Sequence, residues 1–339
     1  MNRLSSFQRL ALWTTATTYF LILVGGLVRA SGAGLGCPDW PRCFGGWVPP
    51  LSVAALPPQF DPSQFNPTLM WTEYLNRVLG MAVGFLILAT AVSAWRHHRR
   101  DPRILWTTIA ALLLTGFQGW LGGRVVAHEL AAWIVTVHMI VALVIVQMLL
   151  YVTVAAGDVR RATASAVARA GSARAKAPAL RTSIAVLIAL TLVQIALGTQ
   201  VRGGVDAALD AGVARDAALA TVGTLDYLHR DAAFATLLGA ILLTFWLVTK
   251  SNSKGPPKGG RHIAAGHDMT LIRWSWAVLG LAVLQVAVGV VMAYVSLLPA
   301  AQVAHLTLAS LLLGAETVLL LVSWRNVAQE GGTFVPPIQ

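Results

Sequence analysis

The sequence predicts an all-α polytopic membrane protein, with eight transmembrane helices arranged as two pseudo-symmetric four-helix bundles. Three observations predict it. Of the 339 residues, 56% are hydrophobic and only 12% are charged, against about 25% charged in soluble domains. Eight apolar runs each approach the roughly 20 residues that a helix needs to cross a bilayer. The second four runs repeat, in order, polar residues of the first four.

The runs lie at about 10–30, 74–95, 104–124, 132–154, 182–201, 226–249, 273–296 and 302–323. The first is long for a cleavable leader, and its removal would break the repeat. Segment 1 ends Gly25-Gly26-Leu27-Val28-Arg29 and segment 5 ends Gly198-Thr199-Gln200-Val201-Arg202. Segment 2 opens Glu73-Tyr74-Leu75-Asn76-Arg77 and segment 6 opens Asp226-Tyr227-Leu228-His229-Arg230. Gln118 and Gly122 in segment 3 correspond to Gln285 and Gly289 in segment 7, and His138 in segment 4 to His305 in segment 8. The last pairings share one offset, because 285 − 118 and 305 − 138 are both 167. Four helices per half is an even number, so the repeat is parallel, about an axis along the membrane normal. The expected organisation is an N-terminal half at 1–154, a cytoplasmic linker at 155–181, a C-terminal half at 182–325 and a tail at 326–339. The Pro- and Gly-containing stretch 251–267 reads as a loop.

The net charge of +11 is a topology signal and not a nucleic-acid footprint. Eighteen of the 25 Lys and Arg fall in the termini and loops of one side. By the positive-inside rule that side is cytoplasmic, so both termini are expected there, in a multi-pass cell-membrane protein surrounded by lipid. The cysteines, Cys37 and Cys43, fall in the long first outer loop. An oxidising exterior permits a disulfide, but spacing alone leaves two free thiols open.

Five histidines, His97, His98, His128, His262 and His267, lie in loops. His138, His229 and His305 lie within apolar runs, where ionisable side chains are costly and usually functional. His229 and His305 come from alternate helices of one half and are able to bind a haem iron from opposite faces. The alternative for each is a hydrogen bond to a neighbouring helix. Arg29, Arg77, Arg202 and Arg230 fall at outer helix ends. They suit haem propionates, which a guanidinium binds with a planar fork, or they snorkel to lipid headgroups. Glu73 is the main catalytic candidate. It precedes Asn76 by three residues, on one side of segment 2, and a carboxyl there suits proton transfer. Its alternative is an N-terminal helix cap.

The run Arg29-Ala-Ser-Gly-Ala-Gly-Leu-Gly-Cys37-Pro-Asp39-Trp40-Pro41 resembles the signature that follows the first helix of haem A synthases. The openings of segments 2 and 6 and the lone histidines of segments 4 and 8 fit the same family over nearly the whole chain. The resemblance implies a membrane oxidoreductase that converts the ring methyl of haem O to the formyl of haem A for terminal oxidase assembly. It implies a resident haem b cofactor on His229 and His305. It also implies a substrate haem in the N-terminal half beside His138, Asn76, Arg77 and Arg29, with Glu73 as the essential acid and Arg202 and Arg230 towards propionates. It makes Cys37 and Cys43 the family's outer-loop disulfide, haem sites near the outer face, and haem O synthase and oxidase assembly factors the expected partners. One departure matters: the family pattern is acidic-x-x-His-Arg, and this chain has Asn76 where the histidine falls. The substrate haem is therefore expected to have one protein imidazole, from His138. The competing readings are a b-type cytochrome carrying electrons to or from quinone, and a transporter. Polar residues near one face, not at the midplane, weigh against the transporter.

Overall fold

The computed structural model describes residues 4–165, 178–252 and 262–330. Its long helices are α1 (Ser6–Ala30), α2 (Pro67–His97), α3 (Pro102–Ala127), α4 (Ala132–Ser165), α5 (Pro178–Asp210), α7 (Thr224–Asn252), α8 (His262–Tyr294) and α9 (Pro299–Glu330), with α6 a single turn at Arg215–Ala218. All eight long helices contain a stretch long and apolar enough to cross a membrane. Large apolar side chains such as Trp13, Phe85, Leu113 and Phe245 stand exposed along them, as lipid-facing helices require. Among the described residues the β pairing is an isolated bridge between Cys43 and Gly46.

Helix starts follow local chemistry. Ser5 and Gln8 form a reciprocal capping box on α1, and each side chain satisfies an amide that the first turn leaves unpaired. Asn66 caps α2 and Asp101 caps α3, each followed by proline at the first helical position, where a missing N–H is harmless.

Within the first half, α1 packs on α2, α2 on α3, α3 on α4 and α4 on α1. Within the second, α5, α7, α8 and α9 close the same ring. The halves meet where α9 packs on α1 and α4, and where α4 packs on α5. Leu143, Ile195 and Leu313 form the apolar seam. Beside them, Thr136 and Thr199 hydroxyls lie 2.6 Å apart and the Gln200 amide donates to Thr136 at 2.8 Å. α9 is the most buried of the eight spans, because it contacts helices of both halves.

The helices outrun their apolar stretches. α5 continues to Asp210 and α2 begins at Pro67, because backbone hydrogen bonding continues into the interface as long as polar side chains reach water. The expected linker is likewise helical at both ends, since α4 reaches Ser165 and α5 starts at Pro178. The middle of that linker, residues 331–339 of the tail and residues 253–261 lie outside the described residues, and the rest of the 251–267 stretch, expected as a loop, is helical, in the end of α7 and the start of α8.

Candidate functional site

Each histidine within a span sits within two turns of the start of an even-numbered span: His138 on α4, His229 on α7 and His305 on α9. Glycines on neighbouring helices make room for them. A Cβ at Gly198 of α5 would lie 3.0 Å from His229 Cε1, and one at Gly289 of α8 would lie 3.3 Å from His305 Cε1. The first half repeats the arrangement more loosely. A Cβ at Gly122 of α3 would be 3.7 Å from His138 Cε1, and one at Gly25 of α1 would be 3.9 Å from Asn76 Oδ1.

In the second half the ring centroids of His229 and His305 are 6.2 Å apart. Two imidazoles on opposite sides of one metal, each bonded at roughly 2.0–2.1 Å, need about 6 Å between centroids. Both Nδ1 atoms are buried without a partner, while the Gln194 amide approaches His229 Nε2 at 3.4 Å. The pair borders an apolar cavity of about 300 Å³. Its outer wall carries Arg29, Arg202 and Arg230, and each has a buried Nε without a partner. Two imidazoles at metal-bridging separation, apolar walls and unpaired guanidinium donors at one end fit a haem with its propionates.

The arginines are already engaged, and not uniformly. Arg230 pairs with Asp226 at 2.5 Å and donates to the Tyr294 hydroxyl at 2.9 Å. Arg202 pairs with Asp206 at 2.7 Å, and Arg29 pairs with the same carboxylate. Arg29, expected at the N-terminal site, therefore lies on the wall of the C-terminal cavity. Arg77 also departs from expectation. Its Nε donates to Glu73, Nη1 to the carbonyls of Asp39 and Arg42 at 2.8 and 2.7 Å, and Nη2 to Glu73 and the Cys37 carbonyl. Of the five guanidinium donors, three are spent on carbonyls of the disulfide loop and two on Glu73, which leaves none for a propionate or a headgroup.

Glu73 is 4% exposed. Its Oε1 accepts from Arg77 and its Oε2 accepts from the Cys37 amide at 2.8 Å. The capping alternative fails, because Asn66 caps α2 and Glu73 lies two turns further in. Cys37 and Cys43 form a disulfide with Cα atoms 4.8 Å apart. Both are buried with Phe44 and Met70 in a small core under the loop. Asp39 accepts from the amides of Phe44 and Gly45 at 2.6 and 2.9 Å, which stabilises two residues held at positive φ. Gly36 permits the loop to lie on α2, since a Cβ there would be 2.5 Å from the Leu69 carbonyl carbon. The loop then sets Trp40 against α3: a Cβ at Gly123 would be 2.8 Å from the indole. Gly123 adjoins Gly122, which faces His138. The disulfide loop thus reaches α3 one residue from the glycine that faces His138. In that half Gln118 donates to the His138 carbonyl at 2.8 Å, and Asn76 Oδ1, Gln118 Oε1 and His138 Nδ1 are buried without partners.

Two carboxylates escape the sequence reading. Asp206 is signalled only by its i,i+4 spacing from Arg202. Glu316 on α9 is fully buried and accepts from the Thr191 hydroxyl at 2.8 Å, with Oε2 unpartnered. Thr191 and Leu312 line the same cavity as His229, so this carboxyl lies one side chain behind the cavity wall. An acid inside the 302–323 run was the available signal.

Residues 8–317 match the family COX15-CtaA, described as a cytochrome oxidase assembly protein. Among curated relatives, the chain is 27% identical over 216 residues to the heme A synthase of Allorhizobium ampelinum, covering 58% of this chain and 55% of that protein. It is 32% identical to the heme A synthase of Geobacillus kaustophilus over 45% of this chain and 43% of that protein. A heme A synthase of Cereibacter sphaeroides is 29% identical over 295 residues, 72% of this chain and 73% of its own. The matched region spans about half the length of the first two relatives.

Proposed function

Since the chain belongs to the COX15-CtaA family of cytochrome oxidase assembly proteins, we propose that it is a haem A synthase, a membrane oxidoreductase that converts the ring methyl of haem O to a formyl group. The observation that carries this reading is the His229–His305 pair at 6.2 Å beside an apolar cavity edged by arginines, on a chain whose relatives bear that name. His229 and His305 hold a resident haem b, whose chemistry there is one-electron transfer. Gly198 and Gly289 keep both rings seated. Apolar walls from Leu237, Val286 and Ala309 exclude water, and Arg202 and Arg230 take propionates. Both haem sites lie near the outer face and both termini are cytoplasmic. An enzyme that makes haem O and the assembly factors of the receiving oxidase are its expected neighbours.

The substrate occupies the first half, with His138 as the single protein imidazole and Asn76 across from it. Methyl to formyl with water as the oxygen source is R–CH3 + H2O → R–CHO + 4 H⁺ + 4 e⁻, so the four electrons leave in one-electron steps to an acceptor outside this chain, and the site needs a proton acceptor. Glu73 fills that role through Oε2. Oε2 accepts one hydrogen bond, from the Cys37 amide, and keeps a second lone pair for the proton, so the disulfide loop orients the carboxylate. Arg77 remains on Oε1 and keeps the carboxylate oriented.

The test is pigment analysis of membranes that make haem O, with and without this chain. The expected result is haem A or its hydroxymethyl precursor only where the chain is present. Unconverted haem O alongside a chain fully loaded with haem b would replace the enzyme by an electron carrier.

A further inference from the structure

Arg29 and Arg202 hold equivalent places at the ends of α1 and α5, offset by 173 residues (202 − 29). The same offset places Ala33 opposite Asp206. The first half therefore has no acid where the second has one. Its helix also stops sooner: α1 ends at Ala30, while α5 runs on to Asp210 and carries Asp206 one turn beyond Arg202. The two arginines share the one carboxylate, Arg202 through Oδ1 and Arg29 through Oδ2. Arg29 in this way lines the cavity of the other half.

Charge at this end of the cavity does not balance. Three guanidinium groups, Arg29, Arg202 and Arg230, face two carboxylates, Asp206 and Asp226. Each arginine also keeps a buried Nε–H without an acceptor. A buried donor left unpaired is costly, so the arrangement favours an occupant that brings carboxylates to this end of the cavity.

Resting on the reading of this cavity as a haem site, we infer that Asp206 is a positioning residue that holds Arg29 across the seam, so that one arginine from each half grips the carboxylate edge of the haem bound by His229 and His305. The second site is then complete only when the first half is docked. The electrostatic consequence has a definite sign. Reduction adds an electron to the haem, so a nearby positive charge favours the reduced form and a negative charge opposes it.

The experiment is a mediated redox titration of the purified full chain, followed through the low-spin haem absorbance. Asp206→Asn shifts the midpoint of that haem positive and Arg29→Gln shifts it negative. The Arg29→Gln shift is smaller in the Asp206→Asn background than in the parent, because Arg29 is no longer held there, and Asp206→Glu restores parental behaviour. A double variant whose shift departs from the sum of the two single shifts identifies coupling, which two independent charges would not produce. If Asp206→Asn fails to accumulate, Arg29→Gln and Asp206→Glu still decide. A parental midpoint in Arg29→Gln, or a change confined to the haem of the first half, overturns the inference. A parent chain with no low-spin haem at all overturns the haem reading instead.

Discussion

Gly198→Ala isolates the fit between α5 and His229, the histidine proposed to ligate haem. The added Cβ would lie 3.0 Å from His229 Cε1, whereas carbon atoms pack best at about 3.5–4.0 Å. The ring must therefore retreat by about half an ångström. Metal–nitrogen distances tolerate only about 0.2 Å of deviation, so the axial bond breaks or the helices part. Overpacking of this kind costs about 1–3 kcal/mol. Alanine in a helix interior returns about 0.5–1 kcal/mol relative to glycine. The net expectation is a loss of about 0–2.5 kcal/mol together with loss of low-spin character. Gly280 on α8 is the control, because a Cβ there meets nothing within 4 Å. Gly280→Ala should gain the helix term and leave the haem spectrum intact. The assay is absorbance of purified haem-loaded protein, followed by thermal unfolding of the same samples. A Gly198→Ala variant with the parental low-spin spectrum and stability equal to Gly280→Ala would refute the packing argument.

Glu73→Gln keeps the size of the side chain and a carbonyl oxygen for the Cys37 amide but cannot carry the proton. It should retain haem b by absorbance and accumulate haem O by pigment extraction, and normal haem A output would exclude the catalytic role. Replacing both Cys37 and Cys43 by serine opens a loop with a sequence separation of 6, for which chain entropy is worth about 2 kcal/mol. The loop should become cleavable by an externally added protease, while the parent, analysed without reduction, should be two hydrogens lighter than its reduced form. Protease resistance equal to the parent would show that Glu73 and Arg77 suffice to anchor it.

What the sequence made legible depended on how local each signal is. Eight spans follow from length and apolarity, and the parallel repeat follows from a single offset shared by Gln118, His138 and their counterparts. Helix ends were less visible. Apolarity ends before the helix does, so the last turns of α5, with Arg202 and Asp206, fell outside a run read as 182–201. The i,i+4 spacing of that pair and the Asn66-Pro67 and Asp101-Pro102 starts are local cues that recover part of it. The partners of the arginines were out of reach. The motifs of Arg29 and Arg202 are alike, and only the packed halves show that both turn to one carboxylate. Arg77 shows the same limit, because its acceptors are loop carbonyls that any sequence could supply.

Asn76 sets the character of the first half, and its replacement by histidine tests the proposed single-imidazole substrate site. Asn76 Oδ1 lies 3.9 Å from the Cβ position of Gly25, against 3.0 Å between His229 and the Cβ position of Gly198. Each side chain faces a glycine of the neighbouring helix, so a histidine at 76 would meet Gly25 as His229 meets Gly198. An amide is a hydrogen-bonding group and a poor iron ligand, so a haem ligated by His138 keeps an open or water-occupied face towards Asn76. Asn76→His should supply the second ligand and convert the substrate haem from high-spin to low-spin, read by electron paramagnetic resonance with haem O bound. An extra iron–nitrogen bond also holds the haem more tightly, so the variant should release product more slowly and turn over less. His138→Ala should abolish ligation in this half and leave the His229–His305 haem unchanged. Two low-spin bis-histidine haems in the unmodified protein would show that another histidine reaches the site, and the role given to Asn76 would be wrong.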